Sequence, residues 1–283
     1  MIGSLGAGTR WVKALVSTGH PVPSLVITAI IVVLAIRGGL HGFGLFAVAV
    51  FAGELSIGWS NDVFDADRDA AGGRTDKPIV AGSISRRAVA VAAGLSLAVA
   101  VVLCYVIGPA TGTINAVMLA AGWAYHAVLK STVASGLMYV IGFGLIPAFA
   151  ASTLPGQPWA RPWTLVAAAM LGLGAHFANV LPDLAADRAA GVGGLPQRVA
   201  AGRGGPTAVR LTAIVLLLAA SALIVLAPGR PYHWLALTGL AATAVLAVIG
   251  LGGSGRVPFY AALAIAALDV ALFVAAGAVL VRA

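Results

Sequence analysis

Charge is what this chain has least of: 9% of its 283 residues are Asp, Glu, Lys or Arg, against 60% hydrophobic. A soluble domain carries roughly a quarter charged residues, so a water-facing globule is excluded. Cysteine is nearly absent. The one thiol, Cys104, lies in an apolar run, which rules out a disulfide within the chain and a cysteine-based zinc site. No basic run is interleaved with aromatics, so the net charge of +8 does not point to nucleic acid. A cleavable leader of the usual form is missing too. Arg10 and Lys13 precede an apolar segment, but no small-residue cleavage site follows, and that segment is expected to stay as a helix.

What the chain has instead is a series of apolar stretches, each of about 20 residues, the length a helix needs to cross a bilayer. They predict an all-α integral membrane bundle, one domain over 1–283, with about nine spans. The expected spans are Val22–Ile36, His41–Trp59, Ala88–Ile107, Thr113–Leu129, Val133–Thr153, Trp163–Leu181, Thr207–Ala227, Trp234–Ile249 and Pro258–Val281. Polar segments at 60–85 and 182–206 interrupt them. Trp159, Trp163, Tyr232 and Trp234 fall at span ends, where amphipathic rings favour the headgroup zone. Lys and Arg number 13 on the side holding the N-terminus and both polar segments, and 4 on the other, Arg282 included. The positive-inside rule then predicts a multi-pass plasma-membrane protein with its N-terminus and both polar segments in the cytoplasm.

The acidic residues are only nine, and seven of them fall in the two polar segments. The first cluster reads Asn61-Asp62-x-x-Asp65-x-x-x-Asp69. On a continuous helix, Asp62, Asp65 and Asp69 share one face, and Asp67 points off it toward solvent. Carboxylates so placed suit Mg²⁺, which takes one or two of them plus water and substrate phosphates. The second cluster, Asn179-x-x-x-Asp183-x-x-x-Asp187, is expected to place one residue per turn at the end of the sixth span. Both clusters carry Asp-x-x-x-Asp-x-x-x-Gly (Asp65, Asp69, Gly73; Asp183, Asp187, Gly191), offset by 118 residues. That offset predicts a pseudo-repeat of four-helix units around a central cavity, with the clusters facing each other. Arg68, Arg74, Lys77, Lys130, Arg188 and Arg198 lie on the same predicted side, suited to diphosphate oxygens, although the positive-inside rule alone accounts for basic loops. Glu54 and Asp269 fall within spans, where an ionisable side chain usually faces protein. Glu54, two turns before Asp62, is placed toward the same cavity.

With these residues set out, the chain resembles the UbiA superfamily of intramembrane prenyltransferases. That family carries N-D-x-x-D-x-x-x-D after its second helix, matched here by Asn61, Asp62, Asp65 and Asp69, and D-x-x-x-D after its sixth. Arg74 to Ile79 resembles its basic-Pro-Ile continuation. Asn179 to Gly191 resembles the menaquinone branch, except that Val192 stands where that branch often has a basic residue. Tyr125 and Lys130 resemble a Tyr…Lys pair after the fourth helix. The resemblance implies two Mg²⁺, with Mn²⁺ as a substitute, holding a prenyl diphosphate between motifs whose ligands are Asn61, Asp62, Asp65, Asp69, Asp183 and Asp187. It implies Asn61, Arg68, Arg74, Lys77, Tyr125, Lys130 and Asn179 as substrate-binding residues, and an isoprenoid tail within the bundle among membrane lipid.

The expected reaction is prenyl transfer to an aromatic or other lipophilic acceptor. The alternative is a UbiA-type terpene cyclase, in which the substrate's own double bonds capture the cation; the same motifs serve both. A CDP-alcohol phosphotransferase needs an Asp-Gly before its later aspartates, and no Asp-Gly occurs. A transporter would not explain carboxylates gathered at one face.

Overall fold

The computed structural model describes residues 2–189, 191–226 and 233–275, and every regular element among them is helical. In chain order these are α1 (Ile2–Thr18), α2 (Pro21–Gly38), α3 (Gly44–Ala71), α4 (Arg86–Ile107), α5 (Pro109–Ala124), α6 (Gly136–Gly144), α7 (Ile146–Ala151), α8 (Pro162–Val180), α9 (Leu184–Ala189), α10 (Leu195–Ala201), α11 (Gly205–Leu226), α12 (His233–Gly252) and α13 (Val257–Ala275). Six segments among the described residues are long and apolar enough to cross a membrane: α2, α4, Val133–Ala151, α8, α11 and α13. The other expected spans correspond to α3, whose 28 residues run on into the acidic motif, to α5 with its short extension, and to α12, apolar over Leu237–Gly252. Ala227, Tyr232, Val281 and Arg282 lie outside the described residues.

Two compact units divide the chain: residues 1–32 with 42–127, and 33–41 with 128–283. The first holds α1, α3, α4, α5 and most of α2. Inside it Ala52, Ala100 and Leu119 join α3, α4 and α5 in one apolar cluster, and Ala14, Ile84 and Val89 form a second beneath Trp59. α1, absent from the expected spans, is anchored here: the Trp59 indole N–H donates to the Leu15 carbonyl at 2.9 Å. In the second unit, α8 packs on α6 and α11.

Two details, a break inside the fifth span and the interruption of the second motif, depart from expectation for the same reason. The fifth span breaks into α6 and α7 just before Pro147. The sixth stops at Val180, just before Pro182. Proline has no N–H to donate and its ring collides with the carbonyl four residues back. Around Pro182 the chain closes on shorter bonds, Leu181 N–H to Ala178 O and Asp183 N–H to Val180 O, both 3.1 Å, before α9 begins. Asn179, Asp183 and Asp187 therefore do not ride one continuous helix, as their spacing alone suggested. Asn179 is in the last turn of α8, Asp183 sits in the turn that follows and Asp187 is on α9.

Candidate active site

The first acidic motif does ride a continuous helix. No proline interrupts α3 before Ala71, so Asp62, Asp65 and Asp69 share its inner face. Asp62 and Asp65 are buried, at 3% and 7% exposure, and Asp67 points outward to an exposed pair with Arg86 at 3.0 Å. The helix ends in a Schellman turn: Gly73 N–H bonds to Ala70 O and Arg74 N–H to Asp69 O, with Gly73 in the left-handed region at φ 69°. α9 ends the same way. Gly191 N–H reaches Arg188 O, Val192 N–H reaches Asp187 O, and Gly191 has φ 70°. The shared Asp-x-x-x-Gly thus has a physical meaning: in each motif the last aspartate supplies the carbonyl that closes its helix, and the glycine turns the chain away.

After Gly73 the loop folds back, and Lys77 Nζ donates to Asp62 Oδ1 at 2.7 Å. A second partner arrives from the turn between α1 and α2. His20 Nε2 lies 3.0 Å from the same Oδ1. Gly58, one turn before Asp62, permits this approach, since a Cβ there would stand 2.5 Å from the Gly19 carbonyl oxygen. Burial alone would raise the Asp62 carboxyl; the hydrogen bonds from His20 and Lys77, with their charge, instead hold it below the ordinary carboxylate range. Asp65 pairs with Arg68 three residues on. Arg74 makes a bidentate contact with exposed Asp76, both bonds 2.9 Å, which lowers the Asp76 carboxyl and raises the guanidinium. α5 flanks this face: the Trp123 indole donates to Ser56 Oγ at 3.0 Å, and the extension Tyr125–Leu129 is a single π-helical turn, an arrangement frequent at functional sites. Tyr125 is buried, and next to it His126 Nδ1 lies 2.9 Å from Ser60 Oγ. Ser60 Oγ also lies 2.8 Å from the Ile57 carbonyl oxygen.

In the second unit Asp183 and Asn179 are exposed and Asp187 is half-buried. Gln197 on α10 donates to Asp187 Oδ2 at 2.7 Å. α10 is held by the Leu195 N–H, which donates to Ser135 Oγ at 2.8 Å. Lys130, half-buried, follows the π turn at the start of this unit. Asp269 accepts from Ser221 at 2.6 Å, a fully buried contact between α13 and α11, apart from either motif.

Sequence reading missed His20 and Gln197. A signal existed for His20: it is a titratable residue directly before Pro21, on the side predicted to hold both motifs. For Gln197 there was none, because its contact depends on where α10 docks. Among the described residues, no three His, Cys, Asp or Glu side chains converge on one point. Each motif therefore offers part of a shell of hard oxygen donors. That fits Mg²⁺, which keeps several positions for water and substrate phosphate, and does not fit an all-protein cage.

A family model described as the UbiA prenyltransferase family matches residues 22–256. No curated protein matches the chain. Solved structures do. One, from work on digeranylgeranylglyceryl phosphate synthase in membranes, aligns over 97% of this chain and 99% of its own, with a TM-score of 0.70 and 15% identity. A UbiA homologue from Archaeoglobus fulgidus bound to GPP and Mg²⁺ aligns over 94% of this chain and 99% of its own, at 0.66 and 18%. The apo UbiA homologue from Aeropyrum pernix K1 aligns over 89% and 97%, at 0.69 and 20%. These likenesses establish the fold, and the matched span, from the start of α2 to the residue before α13, takes in both aspartate motifs. The chain belongs to the UbiA prenyltransferase family.

Proposed function

We propose that the protein transfers a prenyl group from a prenyl diphosphate to a lipophilic acceptor, an aromatic one first, within the membrane. The observation that carries this reading is the α3 motif. Buried Asp62 and Asp65 stand on one helical face with Asp69, in a chain whose family match spans both motifs. The Archaeoglobus fulgidus homologue bound to GPP and Mg²⁺, and the same homologue bound to DMAPP and Mg²⁺, support the substrate class.

The residues to hold Mg²⁺, as two ions with Mn²⁺ as a substitute, are Asn61, Asp62, Asp65, Asp69, Asp183 and Asp187. Both donors to Asp62 fall on Oδ1, which leaves Oδ2 as a ligand position. When bound, the metal supplies positive charge against the departing diphosphate. Lys77, Arg68, Arg74 and Lys130 add cationic donors for the remaining diphosphate oxygens, with Tyr125 and Asn179 completing the substrate contacts. The bond from the prenyl carbon to the diphosphate oxygen breaks, its electron pair leaves with the diphosphate, and the allylic cation is attacked by the acceptor, which then releases a proton. Apolar helices keep water from the cation. The excess of basic residues on the motif side supports a site at the cytoplasmic face of the plasma membrane.

The test is product analysis by mass spectrometry, with purified protein, geranyl diphosphate, Mg²⁺ and a panel of aromatic acids and phenols. A prenylated acceptor is the expected product. A cyclised hydrocarbon or alcohol from the diphosphate alone would show a cyclase instead. No consumption of any prenyl diphosphate would overturn both.

A further inference from the structure

The second unit contains a cavity of about 680 Å³ beside the second motif. Its walls are formed where α8 ends and α11 begins, with Leu184, Val192 and Pro206 among its apolar surfaces and Arg188, Arg198 and Gln197 as its polar ones. No carboxylate lines it. Leu184, Ala185 and Arg188 of α9 line the cavity, whereas Asp183, in the turn before α9, and Asp187 do not.

We infer that this cavity binds the phosphate headgroup of an anionic glycerophospholipid. Three features converge on that occupant. The charge is complementary: Arg198 is braced by its Nε donating to the Gly193 carbonyl at 2.7 Å, and Arg188 has no carboxylate within ion-pairing distance among the described residues. A phosphate between two guanidiniums takes charge-assisted, fork-like hydrogen bonds. The depth is right as well. The cavity lies at the ends of two helices, α8 and α11, that are long and apolar enough to span, where a headgroup meets the apolar zone. Basic pockets between spans on the cytoplasmic side suit anionic headgroups. Finally, the size and the apolar walls exceed what inorganic phosphate fills, and suit a headgroup with its glycerol and the first acyl carbons. The site also has a route to the second motif. Gln197 lines the cavity and holds Asp187 Oδ2, so a bound lipid steadies the wall that positions that carboxylate.

Binding is read without reference to turnover, so its failure is separable from failure of the proposed reaction. Full-length protein in neutral detergent is titrated with short-chain phosphatidylglycerol, and bound lipid is counted by native mass spectrometry. Short-chain phosphatidylcholine and inorganic phosphate serve as comparison probes. Arg188→Gln with Arg198→Gln should weaken phosphatidylglycerol binding by about tenfold or more, the effect of losing charge-assisted contacts. Arg203→Gln, an exposed neighbour outside the cavity, should leave it unchanged. Thermal melting confirms that each variant is folded. Equal binding by the double variant, an equal loss in Arg203→Gln, or tight binding of phosphatidylcholine or inorganic phosphate would each overturn the inference.

Discussion

Two lysine or arginine contacts with aspartates of the same helix differ sharply in burial, and that difference gives a quantitative test. Lys77 Nζ donates at 2.7 Å to Asp62, whose side chain is 3% exposed, and Lys77 itself is 18% exposed. Arg86 meets Asp67 at 3.0 Å with both side chains largely in solvent, 45% and 86% exposed. A charged hydrogen bond to a buried acceptor is worth about 1.5–3 kcal/mol. An exposed pair is worth about 0.2–1 kcal/mol. Lys77→Gln should therefore lower kcat/KM for the prenyl diphosphate by about tenfold to a hundredfold, without removing the metal requirement. Arg86→Gln should leave kcat/KM within about twofold. Lys130→Gln is expected to follow Lys77→Gln. Initial rates of diphosphate release, on protein whose melting in detergent is checked first, decide the matter. If Lys77→Gln behaves like Arg86→Gln, the basic loop serves topology alone and Lys77 does not act on the substrate.

Three further outcomes follow from the same geometry. Asp62 has a depressed carboxyl in the folded state, so its contribution to stability is present above the unfolded carboxylate value of about 4 and is lost as pH falls through the lower folded value. In Lys77→Gln one lowering partner is gone, and the acid-side midpoint of unfolding should move to higher pH; an unmoved midpoint would refute the assignment. Asp65→Ala should abolish turnover while exposed Asp67→Ala is mild, and equal damage from the two would show that the inner face of α3 is not the ligand face. Asp269→Asn can keep a hydrogen bond with Ser221, whereas Asp269→Leu cannot, so only the leucine variant should melt lower, by roughly 1 kcal/mol; matched melting of the two would remove the Ser221 contact as a tie between α11 and α13.

The sequence carried the class, most spans and the motif positions, because hydropathy and acidic spacing are local signals. Asp62, Asp65 and Asp69 kept their helical face since nothing in α3 breaks the hydrogen-bond ladder. The second motif departs from its i, i+4 spacing because Pro182 breaks the ladder between Asn179 and Asp183, an effect that the spacing of the aspartates does not carry. The Gly73 and Gly191 turns gave the internal repeat a backbone explanation that residue identity could not supply. His20 on Asp62 and Gln197 on Asp187 depend on contacts between distant segments, 42 and 10 residues apart, which no window of sequence reports. α1 was missed because Arg10 and Lys13 interrupt its apolar surface, and its docking rests on the Trp59 contact.

The central claim is that these carboxylates act on a prenyl diphosphate through a divalent ion, and the most direct measurement is diphosphate release from geranyl diphosphate by purified protein in Mg²⁺ and in EDTA. The account predicts release in Mg²⁺, none in EDTA, recovery on adding Mg²⁺ or Mn²⁺, and none at any metal concentration for Asp65→Ala or Asp187→Ala. Undiminished release in EDTA, or full activity in either variant, would contradict it.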